Sequence, residues 1–163
     1  MENSSQPAPE TDPALAALQG QRQAMMAVLA QATGEELAQA WSDWPQRPDV
    51  SPVRGPETGL VMLRGRIGGG GAPFNFGEAT VTRATVQLSS GQVGHAYALG
   101  ADADKVRHAA IFDALWQDND TRPAVEERLV APVRSRLQAE ATQKRGETAA
   151  TKVDFFTMVR GED

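Results

Sequence analysis

Two alternating runs joined by Ser89-Ser90-Gly91-Gln92 constrain this chain more than any other feature. Before the joint, in a run from Ala79 to Ser89, Ala84, Val86 and Leu88 alternate with Arg83, Thr85 and Gln87. After it, Val93 to Leu99 alternates again. A period of two is that of a strand with unlike faces, and Ser-Gly between two such runs marks a hairpin turn. The second run also divides by size. Val93, His95, Tyr97 and Leu99 share one face; Gly94, Ala96 and Ala98 share the other. A face of small residues lets a helix pack closely, and the next stretch supplies one. Gly100 to Asp104 reads as a turn and N-terminal cap. Lys105 to Gln117 is alanine-rich, with His108, Ile111, Phe112 and Leu115 at i, i+3, i+4 and i+7.

The rest of the chain is arranged around that hairpin. Leu60 to Ile67, LVMLRGRI, reads as a strand: Val61, Leu63, Gly65 and Ile67 on one face, Leu60, Met62, Arg64 and Arg66 on the other. Pro45 to Glu57 holds four prolines and reads as extended, with a short edge strand around Val50 to Arg54. GPETG, Gly55 to Gly59, reads as a turn. Upstream, Pro13 to about Ala32 carries Leu15, Leu18, Met25 and Leu29 near the helical period. Thr33-Gly34-Glu35-Glu36 is a capping box that opens a second helix, stopped by Pro45. Met25, Met26, Trp41 and Trp44 are candidates for the seam of this helical hairpin; core packing is the ordinary role of such tryptophans and a ligand cage the alternative. Downstream, Asp118 to Pro123 resets the chain with Thr121 as a cap, and Pro132 should kink or split the helix that follows. Helices, then strands, then helices argue an α+β fold: an antiparallel sheet of about four strands with an N-terminal helical hairpin and C-terminal helices. Residues 1–12 read as a disordered leader, 13–152 as a single domain, and 153–163 as an apolar docking tail.

Charge and composition exclude several classes of function. A net charge of −5 and a pI near 5.1 argue against general nucleic-acid binding, which needs a basic face. No apolar run is long enough to span a bilayer, and MENSSQPAPETDP lacks the regions of a secretory signal. The chain has no cysteine, which removes disulfides, thiolate metal sites and a cysteine nucleophile. A cytoplasmic location fits these features.

The loudest candidate site is Gly68-Gly69-Gly70-Gly71. It lacks the lysine and hydroxyl of a nucleotide P-loop, and it leads towards a strand where a dinucleotide fingerprint opens a helix. One functional reading survives. Successive glycines can aim several N–H groups at one anion, with Arg66 and Arg83 supplying charge. The competing reading is a flexible or bulged connection between strands. Glu78 and Arg83 flank TVT and read either as a general base with an anion clamp or as exposed strand residues. His95 and His108 read as packing histidines, since neither has a second ligand at metal spacing on its own element; no metal site is expected. Asp113, in the alanine-rich helix, reads as a buried acid that needs a partner.

RIGGGGAPFNFGEATVTRATVQL, Arg66 to Leu88, and VDFFTMVRGED, Val153 to Asp163, together resemble the G subunit of the bacterial carbon–phosphorus lyase core complex. ETGLVMLR, GQVGHAYALGAD, IFDAL and VAPV match in order between and around them. The resemblance runs from about Thr33 to Asp163. It implies a cytoplasmic hetero-oligomer with the H, I and J subunits, and a functional association with the L subunit. It also implies a role in phosphonate catabolism. There methylphosphonate attacks the ribose C1 of ATP, adenine leaves, and α-D-ribose 1-methylphosphonate 5-triphosphate forms. In that family the I subunit carries the nucleosidase activity, and the J subunit later cleaves the carbon–phosphorus bond with an iron–sulfur cluster and S-adenosylmethionine. A chain without cysteine is not expected to hold such a cluster. No cofactor is expected on this chain alone, and ATP enters as the substrate of the complex. No catalytic residue carries over from the resemblance. Arg64, Arg66, Arg83 and the glycines suit anion contacts at a subunit boundary, while a purely structural assembly subunit is the alternative.

The tail bears on that choice. Phe155, Phe156, Met158 and Val159 follow a polar helix and precede Gly161-Glu162-Asp163. Four such side chains left in water would be adhesive. In an assembly they are expected at a partner interface, with docking on the chain's own domain the alternative.

Overall fold

The computed structural model describes residues 12–66 and 70–150. The leader short of Asp12, Ile67, Gly68, Gly69 and the tail over 153–163 lie outside the described residues. The hairpin around Gly91 is present and forms the centre of the sheet. β2 (Phe74–Leu88) pairs antiparallel with β3 (Val93–Leu99), and Gly91 takes φ +98°, the left-handed conformation this turn requires. On its other side β2 pairs antiparallel with β1 (Val50–Gly65), giving the order β1-β2-β3.

β1 merges two expected elements. The edge strand around Val50 and the strand from Leu60 are one strand, and Gly55 to Gly59 runs through it without turning. Register shifts at Pro52/Arg54 and Arg54/Glu57 explain how. Proline cannot donate to a ladder, but an edge strand tolerates it where a bulge skips the missing bond. Prolines and glycines that look like a turn are here absorbed as irregularities, and among the described residues the sheet has three strands.

Two helices precede the sheet. α1 (Pro13–Gln31) is capped by Asp12, whose carboxylate accepts from Ala14 N–H at 2.9 Å. α2 (Gly34–Ser42) opens on the expected capping box. Glu36 N–H donates to Thr33 Oγ1 at 3.1 Å, and Thr33 N–H to Glu36 Oε2 at 2.7 Å. After the sheet come α3 (Ala103–Trp116), capped by Asp102, and α4 (Arg122–Val125). A single wide π turn over Glu126–Val130 then leads into α5 (Ala131–Ala150). The break expected at Pro132 is thus this wide turn just upstream of it, which accommodates the ring and the missing N–H. Thr121 does not act as a cap. Its hydroxyl donates to the Leu115 carbonyl instead.

α3 is the axis of the core. The sequence shows one apolar stripe, yet Val106 and every residue from Ala109 to Trp116 are buried. The reason is position: α3 packs on the sheet on one side and against α1, α2 and α4 on the other. The small face of β3 permits this. A Cβ added at Gly94 would lie 1.9 Å from the Ala110 carbonyl oxygen and 2.6 Å from Ala114 N, so only glycine fits. On the opposite side Trp41 and Trp44 meet Phe112 edge-on, at ring separations of 6.3 and 5.6 Å. Each such pair adds about 0.5–1.5 kcal/mol to the apolar burial. The tryptophans, with the fully buried Met25, therefore belong to the core around α3 and not to a seam between α1 and α2 alone.

Candidate functional site

The unequal lengths of the strands leave part of the sheet uncovered. β3 pairs with β2 only from Val81 to Gln87, whereas β1 continues beside β2 as far as Gly65 and Phe74. Beyond β3, then, Leu60–Gly65 and Phe74–Thr80 form a two-stranded ribbon about 20 Å long. Leu60 is 64% exposed, Met62 55%, Phe74 42% and Phe76 60%. The helices cover the face of the sheet that carries Thr82, Ala84, Val86 and Leu88; the other face shows Arg83, His95, Tyr97 and Leu99, with Val81 buried among its side chains.

The candidate anion residues divide between the two ends of this surface. Arg66 leaves the tip of β1, and Gly70 and Gly71 stand just before β2, all exposed. Gly70 has open space where a side chain would lie. Gly68 and Gly69 lie outside the described residues. Arg83 pairs in register with Glu57, nine residues along β1 from Arg66, a separation of roughly 30 Å. Arg83 is also engaged: its Nε and a terminal nitrogen donate to Glu57 Oε2 at 3.1 and 2.9 Å, and Arg54 lies 3.8 Å from the other oxygen. One anion cannot be held by Arg66 and Arg83 together. Glu78 and Arg83 are likewise parted. They are five residues apart on β2 and so point to opposite faces, Glu78 paired with Met62 and Arg83 with Glu57. A base and clamp made of these two is not assembled.

The remaining candidates have structural partners. Asp113 is fully buried and accepts from Arg22 at 2.9 and 2.7 Å and from the His95 backbone N–H at 2.8 Å. This ties α1 and β3 to α3, and the carboxylate holds the Arg22 pKa above its ordinary value. His95 is exposed, its ring Nδ1 3.1 Å from Thr85 Oγ1. His108 lies half-buried beside Trp41; burial, with the nearby charge of Arg107, lowers its pKa from the ordinary 6.5. Among the described residues no three His, Asp or Glu side chains are grouped to hold a metal, and no helix is long and apolar enough to cross a membrane.

Sequence reasoning missed two surfaces. One is the ribbon, read as an ordinary part of a sheet. The signal was present in the lengths, since seven residues of β3 cannot cover β2 along its whole run. The other is a cleft of about 580 Å³ between α2 and the π turn, floored by Ala40, Leu129 and Val133 and edged by Glu35, Asp43 and Arg128. Glu36, at its rim, pairs with Arg136 of α5 at 2.7 and 2.9 Å, which lowers the Glu36 pKa.

Comparison with known proteins adds the family. The profile of the phosphonate metabolism protein PhnG family matches residues 20–161. The chain is 61% identical over 143 residues to the α-D-ribose 1-methylphosphonate 5-triphosphate synthase subunit PhnG of Rhizobium meliloti (strain 1021), covering 88% of this chain and 91% of that protein. The family match begins inside α1, upstream of Thr33, where the resemblance read from the sequence motifs starts.

Proposed function

Because the chain belongs to the phosphonate metabolism protein PhnG family, we propose that it is a non-autonomous subunit of an α-D-ribose 1-methylphosphonate 5-triphosphate synthase. The observation that carries this reading is the identity of 61%, spread over nearly the whole of both chains. In the reaction a phosphonate oxygen attacks the ribose C1 of ATP and adenine departs with the bonding pair. Such a centre needs the triphosphate held, the leaving base assisted and water kept out. The H, I and J subunits are the proposed companions, with the L subunit in functional association, in the cytoplasm. This chain carries no cofactor of its own in that reading, and ATP belongs to the complex as substrate.

The strand register favours Arg66 with the glycines over Arg83 for any contact to the triphosphate. Arg83 is already neutralised by Glu57 and stands far along the strand. The same fact supports a second reading, in which the chain contributes assembly surface and no substrate contact. Co-expression of the synthase subunits with and without this chain tests the first claim: the subunits co-purify, and adenine release from ATP with methylphosphonate requires it. Undiminished release in its absence overturns the proposal. Within an intact complex, Arg66→Ala is expected to lower release about tenfold or more, the scale for losing one charged contact to a reacting group. Arg83→Ala leaves it unchanged. Unchanged release in both variants selects the assembly reading.

A further inference from the structure

The ribbon beyond β3 is built like an element that waits for cover. A two-stranded ribbon is marginal in water unless something packs on it. Among the described residues neither β3 nor the helix layer covers it, and its four large apolar side chains are exposed. Its end is nonetheless organised. A bulge between Leu63 and Arg64 turns the strand, and the Phe76 ring lies across Gly65, 2.9 Å from where a Cβ would stand. Phe74 and Phe76 sit 6.2 Å apart, a preformed aromatic end. Arg64 and Arg66 flank it, both exposed, and among the described residues no carboxylate pairs with either. Two free cations at an apolar tip, on a chain of net charge −5, define their complement.

We propose that this ribbon inserts into a different subunit of the synthase, in a cleft with an apolar floor and a carboxylate rim. The proposal rests on the subunit reading above. The ribbon projects beyond β3 with Leu60, Met62, Phe74 and Phe76 exposed and Val61, Leu63 and Ala79 half-buried, a shape that a cleft receives better than a flat face. A second copy is the competing occupant, through its own cleft beside α2. That cleft has Glu35 and Asp43 on its edge, but Arg128 stands beside them and Glu36 is already bound by Arg136, which weakens its attraction for a cationic tip. A ribbon-to-cleft contact between copies is also head-to-tail and continues indefinitely unless its rotation closes.

The test uses the full chain co-expressed with the other synthase subunits. One variant is Leu60→Ser with Phe76→Ser, a second is Arg64→Glu with Arg66→Glu, and a third carries a photo-reactive phenylalanine analogue in place of Phe76. Since these side chains are exposed, circular dichroism and the urea midpoint of the isolated variants stay at the unsubstituted values. Their retention in the complex falls about tenfold or more, as for the loss of a central interface anchor. The cross-link from position 76 joins an identified, different synthase subunit at a peptide containing Asp or Glu. Reversing those charges restores binding of the Arg64→Glu, Arg66→Glu variant. Full retention of both variants overturns the proposal, and so does a cross-link only between copies of this chain. If the unsubstituted chain itself fails to co-purify, the subunit reading falls first, which separates the two failures.

Discussion

Asp113 shows how one residue can be foreseen in kind and not in detail. An acid in an alanine-rich helix is readable as buried and in need of a partner. That the partner is Arg22, ninety-one positions away, with a backbone N–H of β3 as well, depends on how α1 crosses the hairpin. Removing the carboxylate leaves a guanidinium and an amide facing an apolar core. Asp113→Ala is therefore expected to cost about 3–5 kcal/mol in urea unfolding. Adding Arg22→Met recovers only part, because the His95 N–H remains unsatisfied. At Gly94 the sequence was fully informative: a small strand face predicted a close helix, and the helix is there. Gly94→Ala pushes a methyl into the α3 backbone, and a loss of about 3 kcal/mol or more is expected in the same measurement. His108 sets the pH response. Its folded pKa is depressed, so between that value and the unfolded 6.5 the unfolded chain binds more protons and stability falls as pH drops. Glu36 acts in the same direction at lower pH: its depressed pKa gives stability present above its unfolded value of 4.5 and lost as pH falls through the folded value. Thermal melts from pH 7.5 to below 4 should decline in two stages, the second beginning under pH 4.5, and His108→Gln should flatten the first.

Elements were legible where local chemistry decides them. The capping box, the Gly91 turn and the bounds of β3 agree with the sequence because each is fixed within a few residues. Thr33→Ala should accordingly lower stability by about 1 kcal/mol in chemical denaturation, with little change beyond α2. β1 was misread for a physical reason. Gly55, Pro56 and Gly59 have the composition of a turn, but an edge strand accepts them as bulges when β2 offers a continuous template. Only the partner strand distinguishes these outcomes, and the partner is twenty to thirty residues away. The candidate site suffered from the same gap. Arg66 and Arg83 are close in sequence and share one hairpin, yet register places Arg66 at its tip and Arg83 near its middle. Spacing along a chain gives the faces of a strand; it does not give which strand lies opposite.

At the scale of the molecule, every buried apolar residue described lies between Met25 and Val133. If the tail over 153–163 meets a partner, as the sequence leads one to expect, a chain ending at Ala150 should keep its unfolding free energy in urea within about 0.5 kcal/mol of the full chain's, the range for changes outside the core. Loss of co-purification by that same truncation would assign Phe155, Phe156, Met158 and Val159 to a partner; loss of the cooperative transition would assign them to the fold. The helix that leads there has a consequence of its own. From Gln138 to Thr148 every residue of α5 is exposed, so the body grips only its first turns. Its exposed length then fixes a phase as well as a distance. One residue inserted after Ala141 would advance all that follows by about 1.5 Å and rotate it by about 100°. Seven would extend it by about 10 Å while returning it to within about 20° of its original bearing. If whatever holds the far end reads direction, the longer insertion is the milder injury.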